Sequence, residues 1–153
     1  MQQKYISALA IVAFIFVMAF SSQDVGAQCK SFVKVNCLPQ IEPYIHDGNY
    51  QAVMMSEGEE AELYKTIFAG QQYRLFVCID DAIPNVEFVV SDIRRNILFD
   101  NTKNGNVKVW DFKSDASQQI KVIIRISKSQ KESTGNQELI FGCVGMLFGI
   151  LEQ

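Results

Sequence analysis

From Tyr50 to the C-terminus the chain alternates apolar and polar residues with a period of two, the pattern of strands that bury one face. The clearest stretch is 72–79. There Tyr73, Leu75, Val77 and Ile79 point one way, and Gln72, Arg74, Phe76 and Cys78 point the other. Strands are predicted at 50–55, 61–68, 72–79, 86–91, 97–100, 107–112, 120–126 and 138–151, with turn residues such as Asp47-Gly48-Asn49, Ala69-Gly70 and Asn104-Gly105-Asn106 between or before them. About eight short strands with turn signals roughly every ten residues predict an all-β fold, an antiparallel β-sandwich of jelly-roll-like form. The best helical candidate is the short piece 30–35, ahead of Pro39. The hydrophilic stretch 127–137 reads as a hairpin loop, too short for a linker between domains.

The last strand, 138–151, is apolar on both faces and rich in glycine. That fits a central strand buried on both sides, or one that bends at its glycines to change sheets. The alternative is a membrane-inserting tail. Three glycines and a length near 13 residues argue against a spanning helix.

The N-terminus has three zones. A polar start carries Lys4, an apolar run follows from Ile6 to Phe20, and Val25-Gly26-Ala27 supplies small residues. A run of roughly 15 residues suits a signal peptide and falls short of the roughly 20 that span a bilayer. The expectation is a signal peptide over 1–27 and a single sandwich domain over 28–153, whose first part, 28–43, is a cysteine-containing segment. An uncleaved anchor is one alternative. A lipoprotein at Cys29 is another, opposed by Gln28 where a small residue belongs. Export implies a secreted or periplasmic location, with no transmembrane segment after cleavage.

The net charge of −3 does not change on removal of the first 27 residues, because Lys4 and Asp24 leave together. With no Lys/Arg run, nothing favours nucleic acid as a partner. All four cysteines, Cys29, Cys37, Cys78 and Cys143, follow the signal region, so an exported chain is expected to form two disulfides. Three connectivities exist. The expected one joins Cys78 to Cys143 across two apolar strands and closes Cys29 to Cys37 locally. Its rivals are Cys29 or Cys37 with Cys143, or a free buried thiol at Cys78. Zinc is disfavoured, because there is no C-x-x-C and His46 is the single histidine.

His46 beside Asp47-Gly48 reads as a turn histidine, and no G-x-S-x-G, H-E-x-x-H or G-x-x-x-x-G-K motif occurs. The chain is expected not to be an enzyme. Glu57, Glu59, Glu60 and Glu62 surround a turn, and Asp80-Asp81 follow a strand. Asp80 and Asp81 are candidate calcium ligands, set against a plain turn role; no other cofactor is expected. Trp110, Tyr50 and Tyr64, with Tyr44, are candidates for a sugar-stacking platform, and core packing is the competing fate of Trp110.

The segment Ala69-Gly70-Gln71-Gln72-Tyr73-Arg74-Leu75, followed by an Asp-rich turn, then Val86 to Asp92 and Ile97-Leu98-Phe99-Asp100, resembles small jelly-roll modules of the bacterial pre-peptidase C-terminal type and the related Golgi-dynamics sandwich. It is also similar to short secreted proteins of the Bacteroidetes type. The likeness runs from about Leu63 to Ile126 and implies an accessory domain with no catalytic residue to carry over. The expected function is an exported, non-catalytic binding or structural module acting on a protein, glycan or envelope surface. The alternative is a small secreted hydrolase or hydrolase inhibitor.

Overall fold

The structure, a computed structural model, describes residues 25–128 and 140–152. The expected signal peptide lies almost wholly outside the described residues, as do most of 127–137 and the first two positions of the predicted last strand. Val25 to Ala27, the expected cleavage site, fall in the first turn of the described chain.

The chain opens with helix α1 (Val25–Phe32), a wide helical turn (Val33–Cys37) and a tight one (Leu38–Ile41). Pro39 stands at the start of the tight turn, where its missing N–H costs nothing. Eight strands follow: β1 (Ile45–Ser56), β2 (Glu60–Ile67), β3 (Gln72–Ile79), β4 (Val86–Asp92), β5 (Ile97–Asp100), β6 (Val109–Lys113), β7 (Gln118–Ile126) and β8 (Phe141–Leu151). They form two sheets, ordered β1-β8-β3-β6 and β2-β7-β4-β5.

Each strand in the first half of the chain pairs with its mirror in the second: β1 with β8, β2 with β7, β3 with β6, β4 with β5. That is a long hairpin wound into a sandwich, the jelly roll. Only β4 and β5 are consecutive strands in the same sheet; every other connection crosses from one sheet to the other. The hairpin-like spacing in the sequence therefore marks crossings rather than local hairpins.

Period two does its work in the core. Tyr73, Leu75 and Val77 of β3, Val86, Phe88 and Val90 of β4, Ile120, Val122, Ile124 and Ile126 of β7, and Val144, Met146 and Phe148 of β8 meet between the sheets. Tyr73 buries its ring but keeps a polar partner, because its hydroxyl accepts the Phe68 N–H at 2.9 Å. Asn101 is wholly buried and fully used. Its Oδ1 accepts the Phe88 N–H at 2.8 Å, and its Nδ2 donates to the carbonyls of Val86 and Val107.

The two-faced character of β8 has a direct cause. Leu147 and Leu151 of β8, with Phe76 and Cys78 of β3, form a second apolar layer on the outside of the first sheet, covered by Val33, Cys37, Ile41 and Tyr44 of the N-terminal segment. Glycines make this close approach feasible. A Cβ on Gly145 would lie 2.5 Å from Val33 Cγ2, and one on Gly149 would lie 2.6 Å from Tyr44 Cβ. Arg74 secures the far end of the segment. Its Nε and Nη2 donate to both carboxylate oxygens of Asp111 at 2.7 Å, its Nη1 donates to the Glu42 carbonyl at 2.8 Å, and its guanidinium lies 4.4 Å from the Tyr44 ring centre. The hydrogen bond to Asp111 raises the Arg74 pKa further.

The disulfides correct the expected connectivity. They are Cys29–Cys143 and Cys37–Cys78, with Cα separations of 5.1 and 5.9 Å. The rival pairing of Cys29 with Cys143 is the one present. Cys78 sits opposite Gly145 in the ladder, so Cys143 is its diagonal neighbour, two residues along. Diagonal neighbours lie roughly 7–8 Å apart, with their Cβ atoms somewhat closer but still beyond the roughly 3.8 Å that a bridge needs. Cys29 and Cys37 are eight positions apart along a helical stretch, roughly 12 Å along the axis. Both face down onto the sheet, where each meets a different strand.

Candidate functional site

The structure scatters the aromatic residues considered for ligand stacking. Trp110, half-buried on β6, stacks on Phe112 at 4.0 Å and on Phe99 at 5.0 Å. Phe99 continues to Phe88 at 5.4 Å, and Phe112 to Tyr73 at 5.5 Å. This column closes the β5/β6 side of the sandwich. The half-buried Trp110 ring is stacked against Phe99 and Phe112, which pack against the core, the competing fate weighed for it. Tyr50 lies half-buried on the outer face of the first sheet, opposite Leu147. Tyr64 is 54% exposed on the outer face of the second sheet, beside Lys121. Tyr44 is buried beneath Arg74. Tyr44 and Tyr50 share the outer face of the first sheet, whereas Trp110 and Tyr64 lie apart from them.

Asp80 and Asp81 occupy a turn. The Asp80 Oδ1 accepts the Ala82 N–H at 2.9 Å, and the Asp80 carbonyl accepts the Ile83 N–H at 3.0 Å. That is the side-chain-to-backbone role of an aspartate in a turn. Among the described residues, no group of three or more His, Cys, Asp or Glu is placed to hold a metal ion, so Asp80 and Asp81 are not joined by further carboxylates. The glutamates at the β1–β2 turn are engaged otherwise. Glu59 accepts the Ser56 N–H, Glu60 pairs with Arg125, and Glu62 pairs with Lys121.

His46 stands near a carboxylate but not in hydrogen-bonding contact with it. Its Nδ1 accepts the Gly48 N–H at 3.1 Å, and its Nε2 lies 3.8 Å from Asp47 Oδ1. Asp47 itself pairs with Lys65. Nε2 is buried without a hydrogen-bond partner.

The concave feature lies elsewhere, between the edge strands β1 and β2. It is an apolar cavity of about 190 Å³. The inward residues Gln51, Val53 and Met55 of β1 form one wall, and Ala61 and Leu63 of β2 form the other. Ile124, Val144 and Met146 form the floor, and Glu62 stands at the rim. Val53 is 42% exposed, so the cavity opens at the sheet edge. A cavity of about 150 Å³ with apolar walls stays dry and admits benzene, so this one has room for an aromatic or branched apolar group.

Sequence reasoning missed this site. The alternation of 50–55 and 61–68 is legible, but the cavity exists only because the jelly-roll winding makes β1 and β2 the stacked edges of their sheets. One signal was present. The run Gln-Ala-Val-Met-Met-Ser from Gln51 to Ser56 contains no charge and no proline.

No protein-family model matches the chain, and no curated protein matches it. Among solved structures, a periplasmic inhibitor of g-type lysozyme from Aeromonas hydrophila, PliG, superposes with a TM-score of 0.48 at 11% identity, over 67% of this chain and 85% of that one. A likeness at that score does not bear on what this chain binds. The fold itself is plain: an all-β sandwich with two disulfides, in which no described helix is long and apolar enough to cross a membrane.

Proposed function

We propose that the protein is an exported, non-catalytic binding module that acts by surface contact with another protein. The observation that carries the reading is the open β1/β2 side, where the edge strand β1, uncharged from Tyr50 to Ser56, borders an apolar cavity whose lining holds one charged residue, Glu62. Such a site recognises shape and apolar surface. The disulfides and the N-terminal segment support it by holding β8, the neighbour of β1, in a fixed sheet. Two disulfides suit an oxidising compartment and agree with the signal-like N-terminus. Inhibition of a hydrolase is one form that such contact takes.

The test is chemical cross-linking of the mature protein in the fluid or compartment it is exported to. The recovered protein is then purified and titrated by calorimetry. A saturable one-to-one complex with a protein is expected, and hydrolase inhibition is read from the same complex. Turnover of a substrate by the isolated chain, or binding to glycan with no protein partner, would overturn the reading.

A further inference from the structure

The four outer strands of the sandwich differ in how they guard their edges. β5 has four residues, and β6 has five, of which Asp111 and Lys113 are charged. β2 carries Glu60, Glu62 and Lys65. Short length and charge are the usual defences of an edge against a pairing strand. β1 is the longest strand, with twelve residues. Its ladder to β8 is irregular between His46 and Tyr50, then regular from Tyr50 to Ser56. Over that regular stretch β1 carries no charge, and no strand lies on its other side among the described residues. Beneath it lies the cavity.

From this juxtaposition we infer that the partner supplies an extended segment that pairs with the outer edge of β1, on which no described strand lies, and turns one large apolar side chain into the cavity beneath Val53. The inference rests on the protein-binding reading above and names its mode. Strand addition takes affinity from main-chain hydrogen bonds and specificity from pockets that receive alternate side chains. An uncharged edge over an apolar cavity selects an uncharged segment with a phenylalanine, leucine or methionine at the inward position.

A second copy of this chain is a poorer occupant. If Gln51–Ser56 pairs antiparallel with its own copy in a continuous sheet, Gln51, Val53 and Met55 of each copy stay over their own cavities, so neither cavity is filled.

The experiment uses short synthetic peptides of threonine, serine and terminal lysine, identical except for one central residue: Phe, Leu, Met, Ala or Asp. Binding to the mature, disulfide-bonded protein is followed by NMR. The Phe, Leu and Met peptides are expected to shift the methyl signals of Met55 and Met146 and to slow amide exchange along Gln51–Ser56. They should bind at least about tenfold more tightly than the Ala peptide. N-methylation of alternate amides on the pairing edge of the Phe peptide should abolish binding without altering the protein. Ala61→Leu, which narrows the cavity, should weaken the Phe peptide more than the Ala peptide while the thermal midpoint is retained.

The inference is overturned if no peptide binds at millimolar concentration, if N-methylation has no effect, or if the shifts fall on Tyr64 and Lys121. It is also overturned if β1 proves to be occupied by a second copy, seen as a concentration-dependent dimer that the Phe peptide does not dissociate. A protein partner that binds the intact chain but is indifferent to Ala61→Leu would leave the binding-module reading standing and remove this mode alone.

Discussion

Replacing Gly145 with alanine tests how the N-terminal segment is held. The added Cβ would lie 2.5 Å from Val33 Cγ2, whereas carbon atoms in contact sit at about 3.5–4.0 Å. Roughly 1 Å of movement is needed. Val33 is fully buried and, being β-branched, has little rotamer freedom with which to yield. The segment is also pinned on either side of it, by Cys29–Cys143 and by Cys37–Cys78. Overpacking of this kind costs about 1–3 kcal/mol, and removing a glycine from a strand returns up to about 1 kcal/mol. The expected net loss is about 1–2 kcal/mol in urea denaturation with the disulfides intact. Val33→Ala alone should also destabilise, by about 1–2 kcal/mol, through the space it leaves. The two losses should not add. The double variant should be more stable than their sum by about 1 kcal/mol or more, because the smaller side chain relieves the clash. A neutral Gly145→Ala, or strictly additive losses, would refute the packing of the segment against β8.

Further outcomes follow from other parts of the fold. Non-reducing peptide mapping should recover Cys29 with Cys143 and Cys37 with Cys78. Because the first bridge closes a loop of 114 residues, the double variant Cys29→Ala/Cys143→Ala should lose up to about 5 kcal/mol on the chain-entropy estimate. Asn101→Ala removes the partner of the buried Phe88 N–H and should cost about 2–4 kcal/mol by denaturation, with Asn101→Asp not a full rescue because Nδ2 is needed for Val86 and Val107. The pKa values of Asp100 and Asp92 are lowered, chiefly by hydrogen bonds from Thr102 and from Asn96 respectively. A lowered folded-state pKa stabilises the fold above the ordinary carboxylate value and loses that contribution as pH falls through the folded value. Stability should therefore decline below about pH 4, and the decline should be shallower in Asp100→Asn/Asp92→Asn.

Much of the sandwich was legible because a strand buried on one face writes its burial directly into period two. The predicted limits of 72–79 and 97–100 coincide with β3 and β5. The double burial of β8 was legible from its lack of polar residues. The start of β1 was not. Asp47-Gly48-Asn49 reads as a turn, but the chain continues through it as an irregular strand, with Gly48 at φ 85°. The disulfide pairing was hidden for a different reason. It depends on a helical segment lying across a sheet, and that segment advertises little apolar surface; Val35, one of its few hydrophobes, is 68% exposed. Trp110 was correctly grouped with Phe112 on one face, but only the sheet order, with β6 above β5, turns that face toward Phe99. The cavity is a property of two stacked edges and has no local signature beyond the uncharged run of β1.

The most direct test of the binding account is a site-specific photo-cross-link. A benzophenone side chain is placed at Val53 in one preparation and at Tyr64 in another, and each mature protein is irradiated in the medium to which it is exported. The account predicts a protein adduct from position 53, mapped by mass spectrometry to an uncharged extended segment with a large apolar residue, and little or none from position 64. Adducts formed at position 64 but not at position 53 would contradict it.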